Sequence, residues 1–321
     1  MISVIIPAYN AGRFLAQTVQ SVQSQTYAAW ELIIVDDGSK DDTLAIAQEI
    51  SRQDDRISAV SQQNAGVSTA RNLGLAKSNS TYPYVLWLDN DDILVPDALQ
   101  TLLALLESAP EFSAACGPVQ DIDAAGCVIA NYHRFEPLTQ RRGIEGFRLA
   151  RRGSDAPLVF GDLCFHNHII SPGQVLVRRS AIENAGSFDV SLAYTEDYDM
   201  WLRLTMQVGP IAVTHEPVLL YRHHTTNASG NRANVKRGAA DFRWNLLTHS
   251  GMSPEQKRAA RAGYFYNSLV RGEFALFYLR SGKIKQGVKE AALGIRGMLY
   301  FVRDLARLRK ATALSSRPIS R

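Results

Sequence analysis

YVLWLDNDD, Tyr84 to Asp92, joins a short apolar run to a cluster of carboxylates. Apolar residues facing both ways mark a strand buried on both sides, as in a parallel sheet. Asp89, Asn90, Asp91 and Asp92 then emerge where that strand leaves the core, placed to meet a hard cation. An equally apolar run ends the same way earlier in the chain, in ELIIVDDGSKDDT from Glu31 to Thr43. Two acidic strand ends in one domain point to one nucleotide crevice.

Outward from these runs the first hundred residues alternate. SVIIPAY (Ser3 to Tyr9) reads as a strand, and Ala11 to Thr26 as an amphipathic helix with Phe14, Leu15, Val19 and Val22 on one side. ELIIVDD is the next strand, followed by a helix from about Asp41 to Arg52, which Ser39 begins in a capping-box arrangement with Asp42. RISAVSQ reads as a weaker strand, and VSTARNLGLAKS as a helix capped by Ser68 or Thr69. This alternation predicts an α/β fold with a mainly parallel, Rossmann-like sheet flanked by helices, its ligands at the strands' carboxyl ends.

Composition narrows the class. At 321 residues, 46% hydrophobic and 21% charged, the chain has the make-up of a globular protein. Cys116, Cys127 and Cys164 are odd in number and lack CxxC spacing, so reduced packing residues are expected. No run reaches the ~18 uninterrupted apolar residues of a membrane span. The first strand starts at Ser3, leaving no room for a signal peptide, so a cytosolic catalytic part is expected. Positive charge is concentrated at the end: residues 281–321 carry ten Lys or Arg against two acidic residues. Nucleic acid is not expected as a partner, because aromatic platforms, zinc spacing and known binding motifs are absent.

Five segments in order, VIIPAYN (Val4 to Asn10), VDDGSKDDT (Val35 to Thr43), NAGVSTARNLGL (Asn64 to Leu75), LDNDD (Leu88 to Asp92) and AGSFDVSLAYTEDYDMWLRL (Ala185 to Leu204), resemble the family 2 inverting glycosyltransferases of GT-A fold. The resemblance covers residues 1 to about 225 and implies a catalytic domain there, with 1–100 binding nucleotide-sugar, 101–225 serving the acceptor, and 226–321 a helical extension. It implies that Pro7, Ala8 and Tyr9 form the floor beneath the base and that Asp37 accepts from a ring N–H. Arg71 would present a cation to the nucleotide, and Asp89, Asn90 and Asp91 would form the DxD motif, with Asp91 the metal ligand. Asp197 would be the catalytic base, with Glu196 beside it on the acceptor side. The implied reaction is a single displacement assisted by Mg2+ or Mn2+, from a UDP-linked donor to a glycan or lipid-linked acceptor in cell-surface polysaccharide synthesis.

Plainer readings stand beside these. Asp36 and Asp37 could cap the loop before the 41–52 helix, Asp92 and Asp97 read as structural, and Trp201 and Leu204 as core. His223 and His224, in YRHHTTNAS, belong either to a loop over the diphosphate or to a solvated turn. A catalytically idle nucleotide-binding scaffold is the alternative function, although Asp91 and Asp197 are both retained. Residues 232–321 read as helices broken near Ser250 to Pro254 and at Ser281–Gly282. Within 294–310, Arg296, Arg303, Arg307 and Lys310 share one side of the wheel, and Ile295, Met298, Leu299, Val302 and Leu305 the other. That pattern suits a helix lying on an anionic membrane, which would put the protein on the inner face of the cell membrane, or equally a helix that packs its apolar face on the catalytic domain and exposes its basic face.

Overall fold

The computed structural model describes residues 1–129, 156–165, 167–192, 195–225 and 251–280, with part of the stretch 282–299. Two compact units result: Met1–Leu163 with Asn167–Phe242, and Cys164–His166 with Arg243–Arg321.

In the first unit, runs rich in Ile and Val give strands β1 (Ile2–Ala8), β2 (Trp30–Asp36), β3 (Ile57–Ser61) and β4 (Tyr84–Trp87). They alternate with helices α1 (Leu15–Gln23), α2 (Thr43–Gln53) and α3 (Val67–Lys77). There follow β5 (Ile93–Leu94), α4 (Ala98–Glu107), β6 (Ala114–Cys116), β7 (Val119–Ile122) and α5 (Phe160–Phe165). The remaining elements among the described residues of this unit are β8 (Val175–Arg178), α6 (Arg179–Ala185), α7 (Glu196–Gln207), β9 (Ile211–Val213) and β10 (Leu219–Arg222).

Seven strands form one sheet in the order β3-β2-β1-β4-β8-β6-β9. The pairs among β1 to β4 are parallel, as is β6 with β9, while β8 runs antiparallel to both its neighbours. All of β1 and β4 are buried, as expected for strands covered on both faces. A second sheet, β5-β10-β7, brings the end of β10 beside the loop that follows β4. Helix α3 lies hard against β1: a Cβ on Gly74 would come within 2.3 Å of Ile5 Cγ2, so the ARNLG segment requires glycine there. Trp201 and Leu204 of α7 are fully buried, and Cys116, Cys127 and Cys164 form no disulfide with one another.

Two helix starts differ from the sequence reading. Ser39 does not begin α2, which starts at Thr43; its hydroxyl instead accepts from the Asn10 N–H at 3.0 Å. Gly12 N–H donates to Asp41 and Ala11 N–H to Thr43 Oγ1, so residues 10–12 form a loop stitched to 39–43 and α1 begins only at Leu15. Neither Ser68 nor Thr69 caps α3, whose N-cap is Gly66 at φ +91°; the carboxylate serving that end comes from Asp37.

In the second unit, α8 spans Pro254–Arg280, within the breaks read from the sequence. A Cβ on Gly263 would lie 2.2 Å from the Cys164 carbonyl oxygen, so α8 is packed there at glycine distance.

Candidate functional site

The strand β4 ends at Trp87, and every residue of the loop Asp89 to Asp92 is held by a partner from a distant element. Asn90 donates its amide to the Pro7 carbonyl at 2.9 Å, while its own carbonyl accepts from Thr18 Oγ1 at 3.1 Å. The middle position is therefore a structural tie to the end of β1. Asp92 is fully buried, accepting from Arg222 N–H at 3.0 Å and Ser171 Oγ at 2.8 Å. Burial, reinforced by the charges of Asp91 and Asp89, pushes its pKa well above the usual carboxylate range. Asp92 is an anchor, as the sequence reading had it.

Asp91 keeps one-fifth of its side chain exposed, and its Oδ2 lies 2.7 Å from His224 Nε2. Burial and the neighbouring Asp89 charge raise the Asp91 pKa. The His224 ring rests against Phe14, centroids 4.8 Å apart. Arg222, also fully buried, lies over that phenyl ring at 4.9 Å and donates from Nε to the Asp91 carbonyl at 2.8 Å. Its remaining reach goes to Gln17 Oε1 and the carbonyls of Asp123 and Ala124. The end of β10 thus positions the main chain of the acidic loop through Arg222 and touches its carboxylate through His224. His223 turns away from that contact, to Asp121 at 2.8 Å.

Arg71 of α3 joins the acidic loop to the start of α7. Its guanidinium donates to Asp89 Oδ1 at 2.9 Å and to Glu196 Oε1 at 2.8 Å, and it lies over the Phe188 ring. Burial opposes its charge, but Asp89, Glu196 and Asp197 outweigh burial and raise its pKa. One guanidinium among three carboxylates leaves the cluster with surplus negative charge. Next to Glu196, the Asp197 carboxyl is pushed up to about 7, by burial first and then by the Glu196 charge, with Arg71 and the Tyr198 N–H pulling the other way. A carboxylate with that value is matched to proton transfer near neutral pH.

Residues 3–185 match the sequence profile of glycosyl transferase family 2. The chain belongs to that family. Among relatives of this family 2 glycosyltransferase, an uncharacterized glycosyltransferase of Rickettsia prowazekii is 28% identical over 236 residues, covering 72% of this chain and 68% of its own length. The chondroitin synthase of Escherichia coli is 30% identical over 241 residues, 74% of this chain but only 31% of that enzyme. Of solved structures, Staphylococcus aureus TarS in complex with UDP-GlcNAc superposes with a TM-score of 0.63 at 16% identity, over 94% of this chain and 80% of that one. A mannosyltransferase from Pyrobaculum calidifontis in complex with GDP-Man and Mn2+ gives 0.61 at 15% identity, over 99% and 81%. At such identities these two establish the fold, GT-A, with its mainly parallel central sheet.

Three positions in the family 2 glycosyltransferase have surroundings that the sequence reading lacked. Of the floor segment, Pro7 and Ala8 are buried and only Tyr9 presents surface. Arg71, expected to present a cation to the nucleotide, is buried between Asp89 and Glu196, where converging carboxylates need a counter-charge. Glu196, expected on the acceptor side, is buried in that same pair.

Asp37 is nearly buried, and its carboxylate already accepts from Ala65 N–H at 2.8 Å, Gly66 N–H at 2.9 Å and Gln62 Nε2 at 2.7 Å. A carboxylate offers about four acceptor sites, so one more donor can still be served. Asp37→Ala leaves two backbone N–H groups unpaired ahead of α3, and is expected to cost about 1–3 kcal/mol of stability before any nucleotide is added. Chemical denaturation of the ligand-free protein checks this, and an unchanged midpoint would contradict it.

As to a metal, Asp91 Oδ2 lies beside Asp89 and against His224 Nε2 at a strand end; the carboxylates are the hard oxygen donors that suit Mn2+ or Mg2+, and the imidazole is a softer donor that suits Mg2+ less. Among the described residues no group of three His, Cys, Asp or Glu could hold a metal by itself. An ion held here would need further oxygen ligands from outside these residues.

Proposed function

We propose that this transferase moves a sugar from a nucleoside diphosphate sugar to an acceptor hydroxyl with inversion at the anomeric carbon. The observation that carries the reading is the Asp89–Arg71–Glu196 bridge, which gathers the acidic loop and the first turn of α7 into one cluster. Asp91 and His224 would hold a divalent cation, which neutralises the charge growing on the departing diphosphate. Asp197 takes the proton of the acceptor hydroxyl onto its carboxylate as that oxygen attacks. Arg71 keeps Asp89 and Glu196 in place, and Arg222 holds the main chain of Asp91. Tyr9 offers the exposed face for a base, and Asp37, already committed to α3, supports that corner.

Residues 1–100 are read as the donor part, 101–225 as the acceptor part and 226–321 as the extension. A UDP-linked donor is the leading candidate, supported by the UDP-GlcNAc complex of TarS; the GDP-Man complex with Mn2+ keeps guanosine carriers in the test. The acceptor is read as a glycan or lipid-linked sugar of a cell-surface polysaccharide, a reading to which the chondroitin synthase relative lends support. The deciding experiment is a panel of UDP-, GDP- and dTDP-sugars with Mn2+, scored by thermal shift and by release of nucleoside diphosphate. One carrier class should both raise the melting temperature and release its diphosphate, at least slowly to water. No shift with any donor would overturn the reading; binding without any release would favour the idle scaffold.

A further inference from the structure

We propose that the helical residues described between 284 and 299 belong to a peripheral anchor that lies on an anionic lipid surface. Every described residue from 284 to 299 is helical. Gly287 fixes which side packs: a Cβ there would meet Leu279 Cγ at 2.5 Å and the Ala275 carbonyl oxygen at 3.1 Å, so that side rests on the last turns of α8. At about 100° per residue, Ile284, Val288, Ile295 and Leu299 fall within about 60° of one another, roughly 90° round from Gly287. These four side chains are 64%, 58%, 57% and 64% exposed. Scattered apolar residues on a surface mean little, but four aligned on one side of one helix make a continuous stripe. Lys285 and Lys289, both exposed, run along the flank away from Gly287.

Charge selects the occupant. Residues 281–321 hold ten Lys or Arg against two acidic residues, although the whole chain is only +4. A second copy docking on the stripe would bring the same excess of positive charge to its basic flank. An anionic lipid surface takes up the apolar stripe and neutralises the lysines together. Among the described residues no helix is long and apolar enough to cross a membrane, so the contact is one of lying on the surface.

The inference does not rest on the transfer chemistry, and the test uses the full chain without donor. Flotation is measured with phosphatidylcholine vesicles containing about 30% phosphatidylglycerol, and with phosphatidylcholine alone. The protein should float with the anionic vesicles at about 0.1 M salt and be released at about 1 M. Val288→Asp with Ile295→Asp should weaken this binding roughly tenfold or more, with unchanged circular dichroism. Lys285→Glu with Lys289→Glu leaves the apolar stripe alone and should weaken it too, which keeps the test decisive if the first pair disturbs the helix. Equal binding to both vesicle types, no binding, or binding that neither pair alters would overturn the proposal. A lipid-free dimer abolished by Val288→Asp would assign the stripe to a second copy instead.

Discussion

Asp197→Asn is expected to lower acceptor-dependent turnover roughly 10²-fold or more while donor affinity survives. The substitution preserves shape and the hydrogen bond accepted from Tyr198 N–H, but an amide cannot take a proton. The wild-type rate should fall about tenfold per pH unit below about 7, where the carboxyl becomes protonated, and be level above it. A stability measurement gives an independent check. Asp197 has a folded-state pKa raised above its ordinary value, so the folded state binds more protons than the unfolded one between about 4 and about 7. The stability contributed by this group therefore falls as pH rises through that window. The Asn variant, always neutral, should gain in melting temperature over wild type from pH 5 to pH 8. If Asp197 serves only the start of α7, turnover in the variant stays near normal, since the Asn amide oxygen still accepts from Tyr198 N–H.

Asp91→Ala is expected to reduce transfer roughly 10³-fold, the equivalent of about 4 kcal/mol of transition-state stabilisation. The fold should persist, because Arg222 holds the Asp91 carbonyl, a main-chain atom the substitution leaves in place. Thermal stabilisation by nucleotide should also lose its dependence on Mn2+, a readout separate from turnover. Full transfer by the wild type in excess chelator would remove Asp91 from the mechanism.

The part of the fold from β1 to β4 was legible because its strands are uninterrupted apolar runs, and burial on both faces demands such runs. The Asp, Asn and Asp of the acidic loop could be seen for the same reason: they end one of those runs. What escaped the reading are partnerships over long sequence separation. Asp37 serves α3 from 28 and 29 residues away, and no local pattern announces which helix a strand-end carboxylate will serve. Ser39 had the spacing of a cap, yet the Asn10 N–H claimed its hydroxyl first. His224 reaches Asp91 across 133 residues. Its signal was present, since PVLLYR is followed by polar residues as YVLWL is, but the pairing of β10 with β5 that aims it there is a tertiary event. The exposed stripe from Ile284 to Leu299 shows itself only once the side of Gly287 against α8 is known.

The buried guanidinium of Arg222 has a consequence for how the chain assembles. Its N–H and Nε bind Asp92 and the Asp91 carbonyl from 130 and 131 residues further along the chain. Loop closure over such a separation carries a large entropic penalty, so contacts of this kind form late. A growing polypeptide that has reached residue 185 contains the whole segment matching the family profile, yet its acidic loop still lacks the residues that shape it. The acidic loop is therefore completed only once β10 has been made, and a fragment trimmed to the profile would lack the Arg222 contacts that hold Asp91 and Asp92.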